Sequence, residues 1–183
     1  FLGTELPLTV TQMLWVNLIM DTFAAMALAS IPPSADVMKE KPRKTSDFII
    51  TKPMRYNILG VATCFLIILM SLIVYIKGLP LAEVPTALTA FFTIFVMLQF
   101  WNLFNASVFG TNHSVFKDAR HAVGMLSVAI IILIGQIIIV EFGGKVFRTV
   151  PLTLTEWIYI IAGTSIVLWV GEIWRWIQRM KKK

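Results

Sequence analysis

The chain is poor in charged residues and in cysteine. Only 14% of its 183 residues are charged, and Cys64 is its one cysteine. A single cysteine cannot form a disulfide within the chain, so the fold does not depend on internal disulfides. The first apolar stretch has no basic leader, and it is too long for a signal peptide. The scarcity of charge excludes an ordinary soluble domain, because such domains carry about 25% charged residues.

Apolar residues dominate instead. They make up 57% of the chain, and the mean hydropathy is +0.80. A hydrocarbon core of ~30 Å is crossed by about 20 apolar residues in a helix, and five segments of that kind recur between proline and glycine breaks. The predicted spans are Thr9–Ser30, Tyr56–Ile76, Thr86–Val108, His121–Phe142 and Thr153–Ile177. The sequence therefore predicts an all-α, polytopic transmembrane helical bundle of about five spans.

Basic residues predict the orientation of this bundle. All but three of the 16 Lys and Arg residues fall on one side of the predicted spans, and the exceptions are Lys77, Lys145 and Arg148. Because cytoplasmic loops carry the excess of Lys and Arg, we expect the N-terminus outside and the C-terminus in the cytoplasm. The loop of about residues 31–55 is then cytoplasmic. The net charge of +6 follows this topology, and no basic-aromatic pattern indicates nucleic-acid binding.

Asp21 is the exception to the apolar pattern, because it lies in the middle of the first predicted span. A carboxylate at that depth costs several kcal/mol at least, on the order of the common insertion scales, so it marks a functional position. Asn17 precedes it by four residues and is expected on the same helix face. Carboxylate and amide oxygens suit Ca²⁺, Mg²⁺ or Na⁺ rather than zinc or copper.

Amides in the third span offer a second set of polar groups. Gln99, Asn102 and Asn105 recur at steps of three and share a broad stripe, and Gln99 is expected at a depth similar to that of Asp21. They either line a cavity with Asp21 or hydrogen-bond neighbouring helices, as membrane amides often do. Gln136 is interpreted as a helix-packing amide. Glu172 is predicted to form a surface pair with Arg175.

Three classes of function are compatible with these residues. The first is an ion pump. The second is a secondary transporter or channel subunit in which Asp21 binds a proton or Na⁺, although no inverted repeat typical of such proteins is visible. The third is a membrane scaffold in which Asp21 pairs with a basic residue of another chain.

The run from Gln12 to Ala29, followed by Pro32-Pro33, resembles the sixth transmembrane helix of P-type Ca²⁺-ATPases. Its core, Asn-Leu-Ile-Met-Asp-Thr at residues 17–22, is most similar to the plasma-membrane, calmodulin-regulated branch. The loop from Val37 to Arg43 and the third span from Gln99 to Asn105 resemble the loop after the sixth helix and the eighth helix of that family. The resemblance covers essentially the whole chain, as helices six to ten.

The resemblance implies roles for particular residues. Asn17 and Asp21 match Ca²⁺ ligands of the sixth helix, whereas Met20, Gln99 and Asn102 are expected to line the cavity without being firm ligands. The reticulum pumps of the family carry Thr at the position of Met20 and Glu at that of Gln99. A thioether and a neutral amide are weaker partners for Ca²⁺. A single Ca²⁺ per cycle is therefore expected, as in the plasma-membrane branch.

The resemblance also implies what this chain does not contribute. It has no Asp-Lys-Thr-Gly phosphorylation motif, so it is expected to hold no catalytic or cofactor-binding residue. Mg²⁺ and ATP would be used by actuator, phosphorylation and nucleotide domains that, with helices one to five, form the N-terminal remainder of the pump. Both the start at Phe1 and the odd number of spans suit a C-terminal portion, and the tail at Lys183 is short for a calmodulin-binding extension. Ca²⁺, the lipid bilayer and that remainder are the expected partners, and the plasma membrane is the expected location.

Overall fold

The computed structural model of the protein describes residues 7–31, 50–110, 114–118 and 123–181, and these residues form helices joined by turns and short loops. The helices are α1 (Val10–Leu14), a π-helical segment (Trp15–Met20), α2 (Asp21–Ala29), α3 (Lys52–Lys77), α4 (Val84–Ser107), α5 (Val115–Asp118), α6 (Val123–Phe142), α7 (Gly144–Phe147), α8 (Leu154–Thr164) and α9 (Ile166–Lys181).

Five of the resulting helical stretches are long and apolar enough to cross a membrane. They are Val10–Ala29, Lys52–Lys77, Val84–Ser107, Val123–Phe142 and Leu154–Met180. The predicted number of spans and the all-α class are thus confirmed. The second span begins earlier than predicted, because Thr51 caps it by accepting a hydrogen bond from the backbone N–H of Met54, and Pro53 suits the first turn of a helix.

The fifth span is not the single helix that the sequence predicts. It is interrupted at Ser165, between α8 and α9. The Ser165 hydroxyl donates to the Ala162 carbonyl at 2.7 Å, and the Thr164 hydroxyl donates to the Ile160 carbonyl at 2.6 Å. Hydroxyls that bond back to the preceding turn compete with the backbone ladder and bend helices.

The centre of the bundle is α4. It contacts α2, α3, α6, α8 and α9. Its side chains Phe92, Val96 and Met97 are at most 1% exposed, and they join the main hydrophobic cluster with residues of the first, fourth and fifth spans. By contrast, α3 packs mainly against α4 among the described helices, and none of its residues is buried. An apolar helix exposed on most sides is suited to lipid or to further transmembrane helices.

The loop between the fourth and fifth spans also holds the first span in place. It contains the short helix α7, which ends at Arg148 with φ of 52°. At the start of the first span, the Thr11 hydroxyl donates to the Val146 carbonyl at 2.8 Å, and the Gln12 amide donates to the Phe147 carbonyl at 2.9 Å. These bonds join the N-terminal end of the first span to α7, just after the C-terminal end of α6.

The predicted cytoplasmic loop lies largely outside the described residues, which resume at Ile50 after Ile31. The segment from Val37 to Arg43 that resembles the family loop is among the residues not described.

Candidate functional site

The first span changes its helical geometry at the residues that the sequence predicts as ligands. The π-helical segment Trp15–Met20 contains Asn17, and Asp21 follows it directly. The Asp21 backbone N–H donates to the carbonyl of Val16, five residues back, which is the bonding step of a π-helix. Short π-helical segments inside α-helices are rare and are frequently found at functional sites.

The two predicted ligands are on the uncovered side of this helix. Asn17 and Asp21 are exposed, whereas Val16 and Met20 are 1% and 3% exposed and pack in the core. Among the described residues, the side chains of Asn17 and Asp21 have no hydrogen-bond or ion-pair partner. An exposed carboxylate within a membrane span cannot rest against lipid tails at low cost. This face therefore requires water, an ion or further protein beside it.

The three residues predicted to line the cavity have different surroundings in the structure. Met20 belongs to the main hydrophobic cluster, together with Phe92 and Phe100 of α4. Gln99 and Asn102 are partly exposed, on a helix that contacts α2. Asp21 and Gln99 each lie about two turns before the C-terminal end of their spans, so their depths are similar. The amides remain available for a shared cavity, while the Met20 thioether packs among apolar side chains.

Asn105, the third amide of the stripe, has a structural role. Its Nδ2 donates to the Val167 carbonyl at 2.8 Å, and its Oδ1 accepts from Arg175 Nη2 at 2.9 Å. A Cβ added to Gly171 would collide with the Asn105 side chain, which shows how closely α4 and α9 approach. Asn105 thus forms hydrogen bonds between helices, as the second interpretation of the amide stripe predicts.

The expected surface pair of Glu172 and Arg175 exists but is not on the surface. Arg175 Nη2 lies 2.9 Å from Glu172 Oε1, and the side chains of Arg175 and Glu172 are only 10% and 12% exposed. The same carboxylate oxygen accepts the backbone N–H of Val115 at 2.8 Å. The surface location was wrong because α5 and Asn105 cover the pair, and their approach depends on contacts distant in sequence.

Gln136 is confirmed as a helix-packing amide, and its partner was not foreseen. The residue is fully buried in α6, and its Oε1 accepts the indole N–H of Trp15 at 3.1 Å. Its Nε2 has no partner among the described residues. Trp15 is the first residue of the π-helical segment. No pattern within a single span indicates this pairing, because Trp15 and Gln136 lie 121 residues apart in the chain.

The described residues do not form a complete metal site by themselves. No group of three or more His, Cys, Asp or Glu side chains among them is placed to hold a metal ion. Ca²⁺ takes six to eight oxygen ligands, typically about seven, and Asn17 with Asp21 supplies only part of such a set.

Five helices long and apolar enough to cross a membrane define the class of this chain as a helical membrane protein, and Asp21 lies on the uncovered face of the first span, directly after the π-helical segment. The family described as "Cation transporting ATPase, C-terminus" matches residues 5–177. The chain therefore belongs to that family of cation-transporting ATPases.

Curated relatives agree with the family match. The chain is 37% identical, over 91% of its length, to "Plasma membrane calcium-transporting ATPase 4" of Bos taurus. It is 37% identical over 92% of its length to "Calcium-transporting ATPase PAT1" of Dictyostelium discoideum, and 36% identical over 93% to "Plasma membrane calcium-transporting ATPase mca-1" of Caenorhabditis elegans. The matched regions are 15%, 16% and 14% of those proteins, so the chain spans only a small part of each relative.

Proposed function

We propose that this chain is the C-terminal membrane part of an ATP-driven, P-type Ca²⁺ pump that exports Ca²⁺ from the cytoplasm across the plasma membrane. The family match and the names of the relatives support this function over a secondary transporter, a channel subunit or a scaffold. The resemblance of residues 12–29, which lie within the matched region, to the sixth helix of such pumps agrees with it.

One observation carries the proposal for the site. Asn17 and Asp21 are both exposed beside a π-helical segment in a membrane span, and neither has a partner among the described residues. A cation that binds there compensates the carboxylate, which otherwise bears a large cost at that depth. Oxygen ligands of this kind suit Ca²⁺, the ion that the relatives' names specify.

The remaining ligands would come from the rest of the pump. In this proposal, helices four and five of the N-terminal remainder pack against the uncovered face of the first span. They complete the coordination shell of Ca²⁺, and Gln99 and Asn102 line the cavity beside it. ATP and Mg²⁺ act in the cytoplasmic domains of that remainder, where phosphorylation of an aspartate switches the cavity between inward and outward access. This chain contributes ion ligands and no catalytic residue.

The distribution of charge supports the orientation of the chain in this proposal. Lys52 and Arg55 begin the second span, and Arg175 and Arg179 end the fifth. Both ends would face the cytoplasm, where basic residues accumulate, and the lipid bilayer would surround the apolar outer faces of the spans. The first span would then begin outside the cell, as the sequence predicts.

The test is the Ca²⁺ dependence of phosphoenzyme formation in the full-length pump carrying Asp21→Asn. We expect the half-saturating Ca²⁺ concentration to rise by at least about tenfold, because the ion loses one of its few negatively charged ligands. Glu83→Gln is the matched control, since Glu83 is an exposed carboxylate just before the third span. An unchanged Ca²⁺ affinity in the Asp21→Asn pump would reject the assigned role.

A further inference from the structure

The tryptophan at the start of the π-helical segment is held from two directions by the fourth span. Its indole N–H donates to the buried Oε1 of Gln136 at 3.1 Å. Its ring also lies directly on Gly135, where an added Cβ would be only 2.5 Å from Trp15 Cη2. One contact fixes the polar edge of the indole and the other fixes its far edge, so the ring has a single place beside α6.

The contact between Trp15 and α6 lies where the first span changes from an α-helix to a π-helix. The segment begins at Trp15, and Asn17 is two residues further on. A π-helical turn contains an additional residue relative to an α-helical turn, so it rotates every side chain that follows it. A side chain anchored at its first residue therefore sets the direction in which Asn17 and Asp21 project.

The first span is also attached near its two ends, to α7 at its start and to the fourth span at its end. Near its start, Thr11 and Gln12 bond the carbonyls of Val146 and Phe147, and near its end, Ala27 packs against Met125. These end contacts hold the helix as a whole against α6 and its loop. Within the segment itself, Val16 and Met20 pack in the hydrophobic core, and Trp15 adds a directional hydrogen bond to α6.

We propose that Trp15 is a positioning residue for Ca²⁺ binding, and that Gln136 and Gly135 act through it by holding the π-helical segment in the orientation that presents Asn17 and Asp21 to the ion. The inference rests on the proposed function, since it deepens the role of the same site. None of the three residues contacts the ion in this proposal.

The experiment measures Ca²⁺-dependent phosphoenzyme formation in the full-length pump, with the half-saturating Ca²⁺ concentration and the maximal level determined separately. Trp15→Phe removes the indole N–H, Gln136→Met removes its acceptor at similar volume, and Gly135→Ala displaces the ring. Each is expected to raise the half-saturating concentration by about threefold to tenfold, the range that corresponds to loss of one buried hydrogen bond. The maximal level of phosphoenzyme per total pump protein is expected to stay the same, which a general loss of folding would not allow.

The hydrogen bond between Trp15 and Gln136 also predicts that the effects of the two substitutions on the half-saturating Ca²⁺ concentration are not additive. In the double variant with Trp15→Phe and Gln136→Met, the second substitution should add little, since the bond is already absent. Two matched controls remove equivalent features elsewhere. Trp157→Phe breaks an indole bond to Glu141 Oε1 of 3.0 Å, and Gly60→Ala adds a methyl group where nothing lies within 4 Å. Both controls are expected to leave the half-saturating concentration unchanged.

The outcomes separate this inference from the proposed function. If Asp21→Asn weakens Ca²⁺ binding and the Trp15, Gln136 and Gly135 variants do not, the positioning role is overturned and the ion site stands. If Asp21→Asn has no effect, the ion site itself fails. If Gly135→Ala prevents folding, the isosteric Gln136→Met and the conservative Trp15→Phe decide, and an equal shift in Trp157→Phe would also contradict the positioning role.

Discussion

Replacing Arg175 by methionine should destabilise the contact between the third and fifth spans at their C-terminal ends. The Arg175 side chain is 10% exposed, and its Nη2 donates to both Asn105 Oδ1 and Glu172 Oε1 at 2.9 Å. Methionine retains much of the apolar stem but supplies neither the charge nor the donors. The substitution therefore isolates the polar role of the guanidinium group.

The loss of unfolding free energy depends on how well the remaining Glu172 carboxylate is compensated. The Glu172 side chain is 12% exposed in the intact protein, and without Arg175 it keeps the Val115 N–H at 2.8 Å and the Ser114 side chain as donors. Breaking one side of a buried ion pair costs about 3–5 kcal/mol. Arg179 lies 3.9 Å from the other carboxylate oxygen and is 39% exposed, so it compensates in part. We therefore expect the lower end of the range, about 3 kcal/mol.

The assay is equilibrium unfolding of the full-length protein in mixed micelles, with increasing amounts of a denaturing detergent. Arg179→Met serves as the control and should cost less than about 1 kcal/mol, because that pair is longer and more exposed. Combining Arg175→Met with Glu172→Gln should recover at least about 1 kcal/mol relative to Arg175→Met alone, since no uncompensated charge then remains buried. A loss below about 1 kcal/mol for Arg175→Met, or purely additive effects, would refute the reasoning.

Two further predictions concern packing between the spans and use the same unfolding assay. Gly171→Ala should destabilise the protein by about 2 kcal/mol, because the new methyl group would collide with Asn105. Gly163→Ala should be neutral or stabilise it by up to about 0.5 kcal/mol, since nothing lies within 4 Å of the added Cβ. Equal effects at the two glycines would contradict the close approach of α4 and α9. Met20→Ala should cost about 2 kcal/mol, because Met20 is 3% exposed in the core, and Met26→Ala, at a side chain 60% exposed, should cost well under half of that. A larger loss at Met26 would show that the first span is rotated from the orientation described.

Much of the fold could be predicted because membrane spans are a local property of sequence. Each predicted span has enough apolar residues to cross the bilayer, and a helix satisfies its own backbone there. Errors occurred where short-range hydrogen bonds decide the geometry. The hydroxyls of Thr164 and Ser165 bond back to the preceding turn and interrupt the fifth span, and Thr51 with Pro53 starts the second span earlier than hydropathy indicates.

The sequence was sufficient to identify the ligand residues of the candidate site, but not to separate the roles of the neighbouring amides. Asp21 was identifiable because a carboxylate within an apolar run has few alternatives, and Asn17 because it lies one turn away. The roles of the amides were not separable, because Gln99, Asn102 and Asn105 have the same chemistry and regular spacing. Only Asn105 is placed by the structure within reach of Arg175 and a carbonyl of α9.

The amino-acid sequence alone determined the class of this protein, its five spans and the position of its one mid-membrane carboxylate, because these depend on composition and on spacing within single helices. The tertiary structure decided which sides of those helices are covered. It buries Met20 and leaves Asn17 and Asp21 exposed, and it places Gln136 against Trp15, more than a hundred residues away in the chain. Contacts of that kind depend on how five helices pack together, and a pattern confined to one helix cannot specify them.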